Sequence, residues 1–231
     1  MMIKAQIPNT LTLLNLLAGV IGIITVLEGH VLAGAYFVLV SAAFDFLDGF
    51  AARLLRVQSD MGKELDSLAD VVSFGVLPGL ILFMMAKSSA PADSYLPYLT
   101  LIVPMLSAYR LAKFNLDTRQ SDRFIGLPTP ANALFLSTLP YLAVRWPMLG
   151  ELLTLPWALV AIAWLFAILL VSEIPLIALK FKSFAFAKNR FRYALIGISL
   201  LIVAGLQLAG IPLVILAYIV LSVIENATGS E

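Results

Sequence analysis

The sequence predicts an all-α integral membrane protein, a polytopic bundle of about eight transmembrane helices. Three observations carry that prediction. Of the 231 residues, 61% are hydrophobic and the mean hydropathy is +0.98, whereas soluble domains are about 45–50% apolar. The apolar residues fall in runs close to the ~20 residues that cross a hydrocarbon core of ~30 Å. Finally, the 15 Lys and Arg residues are concentrated in alternate connections between those runs.

The first span is expected over residues 10–27, with Pro8-Asn9-Thr10 as an ordinary helix start. No charged region with a small-residue cleavage site precedes it, so it is expected to be retained as a membrane helix. Residues 1–8 (MMIKAQIP) are mildly amphipathic and suit an interfacial segment or a frayed terminus equally well. Further spans are expected at 31–55, 63–86, 95–115, 130–144 and 155–177. The last two, at 193–208 and 211–224, are short and separated only by Ala209-Gly210 before Pro212, which suggests tilted helices or a tight hairpin. A count of six or seven spans is the alternative. The stretch 180–192 (KFKSFAFAKNRFR) interleaves five cations with four phenylalanines and reads as an interfacial anchor. The whole chain, 1–231, is expected to be one membrane domain.

Placing the N-terminus in the cytoplasm puts thirteen cations on the inside and only Lys87 and Arg145 outside, as the positive-inside rule requires. The expected location is therefore the cell membrane, multi-pass. Cysteine is absent, which excludes thiolate chemistry and disulfides. The one histidine, His30, falls between the first two spans, so a His-based metal site or triad is not expected. A net charge of +1 suggests no nucleic-acid partner.

Within this apolar chain one stretch is out of place: DFLDGFAARLLRVQSDMGKELDSLAD, residues 45–70. A carboxylate at bilayer depth costs roughly 2.5–3.5 kcal/mol on insertion scales. Asp45, Asp48, Gly49, Ala52 and Arg53 recur at helical spacing on the second span. Gly62, Asp66 and Asp70 do so on the third. Folding the two spans back on each other joins the acidic faces, while Gly49 and Ala52 leave room beside them. Four carboxylates at close quarters need positive charge among them. Hard divalent cations with oxygen ligands meet that need, namely Mg²⁺ or Mn²⁺, with Ca²⁺ as a third candidate. Two ions would form the clamp recurrent in phosphoryl displacement. Arg53 and Arg56 offer at most two partners for four acids, so structural ion pairs are the weaker reading.

The full pattern D-x₂-D-G-x₂-A-R-x₈-G-x₃-D-x₃-D resembles that of the CDP-alcohol phosphatidyltransferases, membrane enzymes of phospholipid synthesis. The resemblance implies a six-helix catalytic core, here 9–180, with 193–225 as two additional helices. It also implies a divalent-metal site opening to the cytoplasm, a CDP-lipid donor, release of CMP, and a homodimer. Carried over, Asp45, Asp48, Asp66 and Asp70 look like the metal ligands, and Asp70 like the general base. Gly49, Ala52, Arg53 and Gly62 match positions that shape the CDP site. Asn9, in a PNTLT similar to the family's opening, is placed near the nucleotide.

For the acceptor, LDSLADVVSFGVLPG (65–79), YRLAKFNLD (109–117) and FIGLPTPANA (124–133) are similar to stretches of the CDP-diacylglycerol–serine phosphatidyltransferases. That likeness implies CDP-diacylglycerol and L-serine as substrates. Asn132 departs from it, standing where a small residue is expected. A zwitterionic amino acid needs a cation for its carboxylate, and Arg110, Lys113, Asn115 and Arg123 are the candidate acceptor-binding residues, Arg being the better fork. Glu173, inside the expected sixth span, is a second acid out of place. Glycerol 3-phosphate, an inositol phosphate or an ether-lipid donor are the alternatives within the class. A cation transporter is the alternative outside it. Against the transporter, all four acids sit in one helix pair and no second copy follows Phe124.

Overall fold

A computed structural model describes residues 2–117, 124–178, 186 and 189–228. Arg123 and most of the basic-aromatic stretch 180–192 lie outside the described residues.

Each of the eight expected segments contains a helix. Helix α1 (Met2–Leu27) pairs with α2 (Gly34–Leu55), which is preceded by a 3₁₀ turn at Val31–Ala33. Asp60–Asp70 forms α3, Val71–Val76 a π-helical turn, and Leu77–Ser89 α4, together a 30-residue span, Asp60–Ser89. A 3₁₀ stretch at Leu96–Leu101 leads into α5 (Ile102–Leu116), followed by α6 (Thr129–Arg145). The short α7 (Pro147–Leu153) meets α8 (Pro156–Val171) at an 84° bend. The last elements are α9 (Arg190–Leu206), a 3₁₀ turn at Gln207–Gly210 and α10 (Ile211–Ala227).

By length and apolar composition, four continuous helices among the described residues could cross a membrane, or five with the bent pair. One of them, Arg190–Ala227, is folded in two. Its first turn touches Ala178 through Arg192, and its last turns touch 175–177 through Tyr218, Ser222 and Asn226. A straight helix could not bring both its ends to one strand. The fold is at Gln207, whose φ is positive (51°), and this is the tight hairpin the short spans suggest.

The outer surface is as apolar as the interior: Phe46 and Leu201 are 65% and 77% exposed, which suits lipid as the surrounding solvent. The protein is thus a predominantly helical, multi-pass membrane bundle. Its larger core packs α4, α5, α6, α8 and α10, with Phe135 stacked on Phe166 at 3.8 Å. The smaller, around Phe74, Leu77 and Ile81, seats α1 and α2 against α4.

Three expectations are corrected. Helix α1 begins well before Thr10 and runs through Pro8, which lies inside it at the cost of the bond its N–H would have made to the Lys4 carbonyl. An unforeseen helix, α7, fills the connection after α6. The sixth span ends at Val171, not residue 177, and Glu173 lies beyond it. There the chain is extended: β2 (Pro175–Leu176) pairs antiparallel with β1 (Phe124–Ile125), Phe124 opposite Leu176. Glu173 is therefore no buried acid. It is exposed and forms an ion pair with Lys113.

Candidate active site

The α2–α3 connection brings the acids together. Helix α2 closes on Arg56 in the left-handed conformation (φ 53°), whose N–H returns to the last turn. Three residues later Ser59 caps α3 by accepting a hydrogen bond from Gly62 N–H at 3.0 Å, the usual work of an N-cap hydroxyl. With the turn fixed at both ends, Asp45, Asp48 and Asp66 each present a carboxylate oxygen within 4.8 Å of the other two. Asp48 is buried, and Asp66 Oδ1 is buried without a hydrogen-bond partner among the described residues.

Helix α1 completes the arrangement. Thr12 Oγ1 donates to Asp48 Oδ2 at 2.6 Å, and Asn15 Nδ2 donates to Asp70 Oδ1 at 3.1 Å. The carbonyl of Asn15 accepts from both Ser41 and Ser73, each at 3.1 Å, tying α1 to α2 and to the π turn. Asp70 is buried at the end of α3, just before that turn. Thr12 and Asn15 were missed in the sequence reading. A signal was there: Asn9, Thr12 and Asn15 recur every three residues on one side of an otherwise apolar span.

Above the trio opens a cavity of about 470 Å³, within the usual size range for a small-molecule site. Asn9, Asp48, Gly49, Ala52, Arg53, Gly62 and Asp66 all line it. A Cβ on Gly49 would meet only the Arg53 guanidinium, from 3.5 Å, and one on Gly62 would stand 3.4 Å from Asn9 Oδ1. These glycines keep the cavity wide. Oxygen donors at this separation, one of them without a partner, fit a hard divalent cation, and the trio can bind a metal ion.

The remaining candidates separate. Asn115 and Lys113 stay at the margin: Asn115 Nδ2 donates to Ser67 Oγ at 2.9 Å and its carbonyl accepts from Lys63 Nζ at 2.8 Å, while Lys113 faces Glu173. Arg110 is buried, donates to Thr129 Oγ1 at 3.1 Å, and lies within electrostatic reach of Asp70. Ser107 lies one turn before Arg110 on α5, and Asn132 lies in the first turn of α6, which Thr129 opens. Among the described residues Arg110 Nε, Ser107 Oγ and both polar atoms of Asn132 are buried without hydrogen-bond partners. Such groups cost about 1–3 kcal/mol each when left unmet, so a polar occupant is expected here. Asn132, the departure from the expected small residue, thus belongs to a polar seam.

Comparison with known proteins places the chain in a family. A family model described as CDP-alcohol phosphatidyltransferase matches residues 5–169. The chain is 36% identical over 135 residues to the CDP-diacylglycerol–serine O-phosphatidyltransferase of Bacillus subtilis (strain 168), covering 58% of this chain and 75% of that protein. It is 34% identical over 177 residues to the like-named protein of Mycobacterium leprae (strain TN), covering 74% and 57%. With the archaetidylserine synthase of Methanothermobacter thermautotrophicus it shares 33% identity over 135 residues, covering 57% and 56%. The matched stretch thus spans between about half and three-quarters of each relative's length.

Proposed function

The chain belongs to the CDP-alcohol phosphatidyltransferase family, and from that premise we propose that it transfers the phosphatidyl group of CDP-diacylglycerol to the hydroxyl of L-serine. The products are phosphatidylserine and CMP. The observation that carries this reading is the trio of aspartates beneath a cavity that Asp48 and Asp66 line, with Asp70 one turn from Asp66 and held by Asn15.

Asp45, Asp48 and Asp66, with Asp70, would hold two divalent ions, Mg²⁺ or Mn²⁺, or Ca²⁺. When bound, the metal neutralises the diphosphate and the charge left on departing CMP. The chain's own groups do the rest. Asn9, Gly49, Ala52, Arg53 and Gly62 frame the nucleotide. Asn15 orients Asp70, which takes the proton of the serine hydroxyl as that oxygen attacks the lipid-side phosphorus. The new P–O bond forms as the bond to CMP breaks. Arg110 receives the serine carboxylate, and Ser107 Oγ and Asn132 Oδ1, without partners among the described residues, can accept from the serine ammonium group. Lys113 and Asn115 border this acceptor site, and Arg123, outside the described residues, is the remaining candidate for it. Positioning and electrostatics supply most of the rate effect.

The catalytic core is 9–180, and 193–225 is an addition to it. The site end carries Arg53, Lys63 and Lys113 and faces the cytoplasm of the cell membrane, as does the N-terminus, since these cations gather there. A homodimer is the proposed assembly, and light scattering of the detergent-solubilised protein checks it. The likeness to an archaetidylserine synthase favours, as a second reading, an ether-linked donor with the same head-group chemistry.

The deciding experiment is CMP release by purified protein given CDP-diacylglycerol, Mn²⁺ or Mg²⁺, and serine, glycerol 3-phosphate or an inositol phosphate in turn. Serine is expected to be preferred. Preference for either phosphate acceptor would falsify the assignment.

A further inference from the structure

The matched family region ends at residue 169, yet the Arg110 side of the site is closed by residues beyond it. Tyr218, on α10, is buried and within electrostatic reach of Arg110, and its hydroxyl donates to the Ile177 carbonyl at 3.0 Å. One turn on, Ser222 Oγ accepts from Ile177 N–H at 3.1 Å. A turn further, Asn226 Nδ2 donates to the Pro175 carbonyl at 2.6 Å. Positions 218, 222 and 226 share one face of the helix, so α10 presents a row of polar side chains to the backbone of 175–177. That backbone is a two-residue strand paired on one side only, inside an apolar bundle, where unmet peptide groups are costly.

The other side of the strand leads to the site. Gly126 N–H donates to the Ile174 carbonyl and Leu127 N–H to the Leu169 carbonyl, both at 2.9 Å. Thr129, two residues later, begins α6 and holds Arg110. A continuous chain of contacts therefore runs from α10, through 175–177 and 124–127, to Thr129 and the guanidinium.

We infer that the α9–α10 hairpin is the clamp for the acceptor side of the site, with Tyr218 a positioning residue that sets Arg110 for the acceptor's carboxylate. The inference rests on the acceptor reading above. It gives the two added helices a role in choosing the second substrate and none in binding CDP-lipid or metal, whose residues lie on α1, α2 and α3.

The test is steady-state CMP release by the full chain, varying serine and CDP-diacylglycerol separately. Tyr218→Phe keeps the ring and removes the hydroxyl. It is expected to raise the serine KM about 2- to 12-fold, the weight of one net hydrogen bond, with the CDP-diacylglycerol KM and the metal titration unchanged. Ile215→Val, a core change on the same helix, is expected to lower thermal stability without moving the serine KM. An unchanged serine KM in Tyr218→Phe overturns the inference, as does a rise shared with Ile215→Val or with the lipid KM. Should Tyr218→Phe not fold, Ser222→Ala probes the same clamp through Ile177 N–H, with the same expected and overturning results. A wild type that ignores serine removes the acceptor reading and this inference with it. A wild type that uses serine beside an indifferent Tyr218→Phe removes only the clamp.

Discussion

Asn15 shows how much one side chain decides in this site. Its amide donates to Asp70, its carbonyl gathers two serine hydroxyls, and its own Oδ1 stays buried without a partner among the described residues. Asp70 is thereby anchored one turn from Asp66 of the trio, which suits a proton acceptor better than a purely structural acid. Asp70→Asn removes the base and keeps the shape. It is expected to lower CMP release by about 10²-fold or more while retaining CDP-lipid binding; near-normal turnover would take Asp70 out of that role. Asp66→Asn alters the trio itself. The metal concentration for half-maximal activity is expected to rise about 10-fold or more, as read by chelator and metal titration; an unchanged titration would refute the trio as the metal site.

At the scale of elements, two short irregular pieces set the site's shape. The π turn Val71–Val76 follows Asp70 directly and swings the next face of the span, so that Ser73 reaches Asn15; such turns occur often at functional sites. The segment 124–127 crosses the end of α8 so closely that a Cβ on Gly126 would stand 2.5 Å from the Leu170 carbonyl oxygen, and its φ is +74°. Glycine is needed there on both counts. Gly126→Ala is expected to cost about 1–3 kcal/mol, seen as a lowered melting temperature in detergent, and to weaken serine-dependent turnover by displacing Thr129 from Arg110. A melting temperature equal to wild type would show that the segment is free to give way.

Over the whole molecule, the helices alternate direction and gather polar function at one end. That end holds the aspartates, Lys63, Lys113 and the strand pair; the other holds Arg145 and the hairpin tip at Gln207. The chain has no cysteine, so an introduced one is its only thiol. In intact cells, an impermeant thiol reagent is expected to label Asp93→Cys, in the connection between α4 and α5, and to spare Gln58→Cys at the cavity. The reverse pattern would invert the proposed orientation.

Much of this was legible in the sequence, because a helix states its own period. Spacing by three, four and seven put Asp45 with Asp48 and Asp66 with Asp70 on shared faces, and apolar run length gave the helical segments. Charge distribution gave two unlike ends. What spacing along one helix does not state is which faces meet when several helices pack. Tertiary structure alone brought Thr12 and Asn15 to the aspartates and Arg110 to Thr129. It also drew Glu173 out of the sixth span into an exposed ion pair with Lys113. The clamp from α10 to Arg110 likewise crosses elements more than a hundred residues apart, joined by hydrogen bonds to a two-residue strand that no periodicity announces.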